Sequence, residues 1–156
     1  MTSEHLRSLT YLDATIRETL RILPPSSTAG RRLTRSVVLD GVLYEKGWTL
    51  MAEPRLSHTM ADHFPEPQRF DPERFLNGSE RERQYAFIPF GGGVHACLGA
   101  QLALTVMKVM AIHLLDRFDW QLDGAPTYTA FPLRKIKPTV RIRLTSRRRT
   151  PAMGTP

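Results

Sequence analysis

The stretch FIPFGGGVHACLGAQLA, Phe87 to Ala103, holds the only cysteine of the chain. Gly91, Gly92 and Gly93 stand before Cys97, and Gly99 follows it. A glycine in regular structure costs about 0.5–1 kcal/mol relative to alanine. Four glycines between Gly91 and Gly99 therefore mark a loop selected for backbone shape. A nearly unbroken apolar run follows and predicts a helix from about Leu98 to Arg117. Cys97 then sits at a helix start, where free N–H groups and the helix dipole favour a negative sulfur.

Three readings compete for this loop. GGGVHA, Gly91 to Ala96, fits G-x-G-x-x-A, but Pro89 interrupts the preceding segment as a strand and no acidic residue follows at the required offset. Free cysteines usually pack as small apolar residues, yet packing alone needs no glycine loop. The third reading makes Cys97 a thiolate ligand. Structural zinc needs several Cys or His ligands, and His95 alone does not supply them. One thiolate beside a surface without side chains suits a macrocycle that brings four in-plane ligands of its own, which is haem.

The rest of the chain sets the frame. Its 156 residues suffice for one domain. With 41% apolar and 24% charged residues it reads as globular. The net charge of +7 is mostly arginine, part of it in the tail TSRRRTPAMGTP. No basic patch is interleaved with aromatics, so nucleic acid is not an expected partner. One cysteine excludes an internal disulfide. The N-terminus lacks the apolar core of a signal peptide, and Lys108 and His113 argue against a membrane span in the most apolar window. The expected location is cytoplasmic.

Elements follow from periodicity. Leu12, Ile16, Leu20 and Leu23 predict a helix from Thr10 to Leu23, started by a Thr10–Asp13 capping box and stopped by Pro24-Pro25. Leu33 to Ala52 reads as strands, with a hairpin turn at Asp40-Gly41 and a second turn at Glu45 to Gly47. Glu53 to Ser79 reads as a long meander. The Leu98–Arg117 helix is apolar nearly all round, so it calls for burial on several sides. The remaining elements look insufficient to cover it, a hint of a larger whole. Val140, Ile142 and Leu144 alternate with polar residues as a half-exposed strand paired to a segment after Asp119, with TYTAFPLRK at the tip.

FGGGVHACLG, Phe90 to Gly99, resembles the cysteine-ligand loop of the cytochromes P-450, Phe-x-x-Gly-x-x-x-Cys-x-Gly, with Phe90, Gly93, Cys97 and Gly99 at its named positions. ETLR, Glu18 to Arg21, resembles the family's Glu-x-x-Arg motif, and FDPERF, Phe70 to Phe75, its later Pro-Glu-Arg-Phe motif. The three occur in order, and the likeness runs from about Leu9 to Leu144. It implies a mainly α fold with small β-sheets, the C-terminal part of that family's fold. Residues 1–144 would be an incomplete haem-binding domain and 145–156 a basic, disordered tail.

The resemblance also implies roles. Iron protoporphyrin IX would be the cofactor, with Cys97 the metal ligand. Arg31, Phe90, Gly91, Gly93, His95 and Gly99 would join Cys97 in binding it, Arg31 and His95 at the propionates. Helical spacing alone makes Glu18 and Arg21 an exposed pair worth about 0.2–0.5 kcal/mol. The family instead implies a buried network completed by Arg74. Ser26, Ser27, Thr28, Ala29 and Gly30, with Phe131, Pro132 and Leu133, would face the substrate. A histidine often found in the Ser57–Pro67 segment could be His58 or be replaced by Met60, and neither is assigned. The implied activity is monooxygenation of a small organic substrate, with electrons from a ferredoxin or flavoprotein reductase docking on a basic surface that includes Lys108. The family's distal helix and its acid–alcohol pair have no counterpart before ETLR. No catalytic residue is therefore identified, and these residues alone are not expected to turn over. The alternative is a truncated haem-binding or structural remnant.

Overall fold

A computed structural model describes residues 2–26, 28–76, 85–125, 127–129, 135–136 and 140–147. Helix α1, Ser3–Ser8, escapes the periodicity argument because it is short; Thr2 and His5 close a capping box on it. Helix α2 spans Thr10–Ile22. Its N-cap is Leu9, without a side-chain cap, so the proposed Thr10–Asp13 box does not form. Asp13 instead pairs with Arg17 one turn on and with Lys108 across the fold. Buried Pro24 lies just past the helix end.

Four antiparallel strand pairs follow among the described residues. Strand β1, Ala29–Arg32, pairs with β4, Thr49–Ala52. The sheet begins four residues before the expected Leu33. Between them, β2, Val37–Leu39, and β3, Val42–Tyr44, form a hairpin. Asp40 and Gly41 both take positive φ, 49° and 79°, as a two-residue turn matched to strand twist requires. The expected meander contains a short helix α3, Pro54–His58, and a 3-10 turn at Pro72–Phe75.

Helix α4 spans Ala100–Arg117, beginning two residues later than the expected Leu98. Strand β5, Phe118–Asp123, then pairs with β8, Arg141–Ser146, in full register from Phe118↔Ser146 to Asp123↔Arg141. Strand pairing through Ser146, with the Arg147 N–H donating to the Arg117 carbonyl, moves the expected tail boundary at 145 outward. The proposed tail beyond Arg147 lies outside the described residues. A small ladder, β6 Tyr128–Thr129 with β7 Lys135–Ile136, flanks the tip.

The core is small. Ala14, Ile16 and Leu20 of α2 are buried with Phe64 and Ala86. Helix α4 calls for burial on several sides, and the described elements do not cover it, as the shortage of packing partners in the sequence led one to expect. None of its residues is buried, and Leu102 and Met110 are 69% and 59% exposed. Of its polar residues Gln101, Thr105 and Asp116 are exposed, while Lys108 is half-buried and turns onto Asp13 of α2. Among the described residues no helix is long and apolar enough to cross a membrane.

Candidate functional site

Helix α2 brings Glu18 and Arg21 to one side, three residues apart. That side is covered by the meander, which spacing alone does not reveal. Both side chains are fully buried. Arg21 grips Glu18 in a two-pronged bond, Nε to Oε2 at 2.7 Å and Nη2 to Oε1 at 2.8 Å. Oε1 also accepts from Arg74 Nε at 3.2 Å and from the Asp71 N–H at 2.9 Å. The carboxylate thus meets four donors, the arrangement a buried charge requires. Spare guanidinium hydrogens reach the His58 carbonyl (2.9 Å), the Arg69 carbonyl (3.2 Å) and, from Arg74, the Pro65 carbonyl (3.1 Å). Arg21 also lies over the Phe64 ring, 5.4 Å from its centroid, a favourable cation–π placement. Glu18, Arg21 and Arg74 therefore meet in space.

His58, left unassigned by the sequence, is the side chain that joins this cluster to the cysteine loop. It is fully buried. Its Nδ1 lies 3.1 Å from the Arg21 carbonyl, and its Nε2 accepts from the Ile88 N–H at 3.0 Å. A carbonyl only accepts and an amide only donates, so the partners fix a neutral ring with its proton on Nδ1. Burial, with the Arg21 charge acting in the same direction, pulls the His58 pKa down to about 4. The ring also meets Phe87 at 5.4 Å and Phe64 at 6.3 Å between centroids. A polar histidine in a proline-rich stretch gives no periodicity signal, which is why the sequence left it open.

From Ile88 the chain enters the loop. The Gly91 N–H donates to the Ile88 carbonyl at 3.0 Å, and the Cys97 N–H closes back on the Phe90 carbonyl at 2.8 Å. Gly91 and Gly93 take φ of 73° and 65°, values that a side chain makes costly. A 3-10 turn at Gly93–His95 completes the bend. Cys97 lies three residues before α4 rather than at its first turn, and its carbonyl accepts from the Ala100 N–H at 3.3 Å. Its thiol is exposed.

The remaining expected site residues are placed less tightly. Arg31 is exposed on β1, its Nη1 donating to the neighbouring Gly30 carbonyl. His95 is exposed at the end of the 3-10 turn. Ser26 donates to the Thr28 carbonyl, and Thr28 and Ala29 are half-buried. Gly30 faces Met51, whose sulfur would lie 3.0 Å from an added Cβ. Ser27, Phe131, Pro132 and Leu133 fall outside the described residues.

The loop accommodates a flat ligand. A Cβ added at Gly92 or Gly93 would meet no atom within 4 Å. At Gly99 it would meet only the Cys97 sulfur, at 3.9 Å. Val94 and Leu98 are almost wholly exposed beside them. Among the described residues no group of three or more His, Cys, Asp or Glu is gathered for a metal ion. One soft sulfur on an open, largely apolar face therefore fits a metal already held by a planar macrocycle.

These elements define a mainly helical protein with small antiparallel sheets and a glycine-framed cysteine loop. The model of the family Cytochrome P450 matches residues 1–141, and the chain belongs to that family. Cytochrome P450 26A1 of Xenopus laevis is 38% identical over 132 residues, 83% of this chain and 27% of that protein. Putative cytochrome P450 120 of Synechocystis sp. is 38% identical over 124 residues, 78% of this chain and 28% of that protein. The structure titled retinoic acid bound cyanobacterial CYP120A1 matches with a TM-score of 0.83 at 33% identity, over 94% of this chain and 34% of that one. The fold is thus a portion of the cytochrome P450 fold, and haem is the family's cofactor. The chain spans little more than a quarter of the length of these two curated relatives.

Proposed function

We propose that Cys97 supplies the thiolate ligand to haem iron in a monooxygenase of which this chain carries the proximal part. The observation that supports this most is the exposed thiol set in a loop whose glycines leave an uncovered face. Bound there, haem supplies dioxygen activation, which an electron-donating thiolate favours. The chain's own residues hold the sulfur in place. The Phe90–Cys97 hydrogen bond closes the loop, and the glycines keep side chains off the ligand face. Gly93, Phe90, Gly91 and Gly99 frame that face, and Arg31 and His95 are the proposed partners of the propionates. Both are exposed and carry N–H donors of the kind a carboxylate accepts from.

The proposed substrate is a small organic molecule of largely apolar character. The cyanobacterial neighbour is titled as bound to retinoic acid, which makes an apolar carboxylic acid the first compound to try. Ser26 to Gly30 and Phe131 to Leu133 are the segments proposed to meet it. Electrons would come from a ferredoxin or a flavoprotein reductase. Lys108 is withdrawn from the proposed donor-docking surface, because it is engaged with Asp13. The test is turnover by a family-length protein carrying this chain, with a donor system and retinoic acid. Oxygenated product that disappears in Cys97→Ala supports the reading. Product that survives the substitution contradicts it, and haem uptake without turnover matches the remnant alternative.

A further inference from the structure

We infer that His58 is a positioning residue: it ties the cysteine loop to the buried arginine–glutamate cluster through the Ile88 amide. The hydrogen bonds run in sequence. Nδ1–H of His58 donates to the carbonyl of Arg21, whose side chain is locked on Glu18. Nε2 accepts the Ile88 N–H. The carbonyl of the same Ile88 accepts the Gly91 N–H, and two residues on the Phe90 carbonyl accepts from Cys97. Ile88 is thus held from one side by the imidazole and from the other anchors the first glycine of the loop. Phe87, stacked near the His58 ring and in contact with Phe75, fixes the same limb by packing.

The geometry leaves little freedom to share this task. The half-buried Ile88 amide needs an acceptor where no strand partner supplies one, and an amide shut off from water without an acceptor costs up to about 1–3 kcal/mol. The imidazole is long enough to offer an acceptor at one end and a donor at the other. Asparagine and glutamine divide these functions. An Asn amide reaches about as far as Nδ1 and can keep the Arg21 contact. A Gln carbonyl reaches about as far as Nε2 and can keep the Ile88 contact. The relay concerns the loop itself, so its failure leaves the haem assignment standing.

The experiment is amide hydrogen exchange on the intact chain and on its His58→Asn and His58→Gln variants. The Leu23 N–H, which closes the C-terminal end of α2 by donating to the Thr19 carbonyl, reports opening of that helix as the reference. Relative to Leu23, exchange at Ile88, Gly91 and Cys97 should quicken about tenfold in His58→Asn, the equivalent of one net hydrogen bond. It should stay near the parent rate in His58→Gln. The sole thiol should follow the same order in its rate of reaction with a neutral aromatic disulfide. Equal quickening in both variants, in step with Leu23, would mean that His58 only fills space and would overturn the inference. Should both variants fail to fold, nitrogen NMR of the parent decides. An unprotonated Nε2 bonded to the Ile88 amide supports the relay, and a protonated Nε2 excludes it.

Discussion

Glu18 accepts four hydrogen bonds where no water can share its charge, so each partner is costly to remove. Breaking one member of such a buried network costs about 3–5 kcal/mol. Glu18→Ala and Arg21→Ala should each lower unfolding free energy by about that much in denaturant titrations, and the double variant by much less than the sum. A loss under 1 kcal/mol would place the cluster in solvent. His58 gives a pH signature. Its folded pKa, about 4, lies below the ordinary 6.5, so the unfolded chain binds the proton first. Its contribution is constant above that ordinary value and is lost as pH falls from 6.5 towards 4, by roughly 3 kcal/mol in total. His58→Gln should flatten the stability profile across that window. Gly92 separates fold from ligand. Its φ of −157° is extended backbone, and an added Cβ meets nothing. Gly92→Val should therefore change the stability of the free chain by no more than about 0.5 kcal/mol. Its haem affinity, read by titration, should fall clearly; unchanged affinity would move the ligand face elsewhere.

At the scale of elements, α2 and α4 are joined by the Asp13–Lys108 ion pair, with only 24% and 14% of the two side chains exposed. The Asp13 pKa is lowered; burial opposes this, and the hydrogen bonds and charges of Lys108 and Arg17 outweigh it. A double-mutant cycle on Asp13→Asn and Lys108→Met should return a coupling of about 1 kcal/mol. Zero coupling would mean the helices meet without it. This pair also shows what sequence reveals. The helices α2 and α4, the Asp40-Gly41 hairpin and the late strand were legible because period and turn chemistry are local. Asp13 was read as a cap because its spacing from Thr10 fits one, while its real partner lies far along the chain. Glu18 and Arg21 are off the apolar stripe of α2, so periodicity exposes them; only the family pattern anticipated the covering meander. Cys97 and its glycines were legible because nothing bland explains them. His58 was not, since its role depends on an amide thirty residues later.

For the whole molecule, the balance between core and surface is the main fact. Helix α4 shows Leu102, Val106, Val109 and Met110 to solvent on one face. Exposed apolar patches of this kind drive association. The chain should self-associate with rising concentration, and Val106→Glu combined with Met110→Lys should shift it towards monomer in sedimentation; an unchanged distribution would mean that face is not sticky. The central claim concerns a different feature, the exposed Cys97 thiol. Its most direct test is the absorption spectrum of the haem-reconstituted chain, reduced under carbon monoxide, beside Cys97→Ala. The account predicts the red-shifted Soret band of a thiolate-bound haem in the parent and its loss in the variant. An unshifted band in the parent, or a red-shifted one that survives in Cys97→Ala, would contradict it.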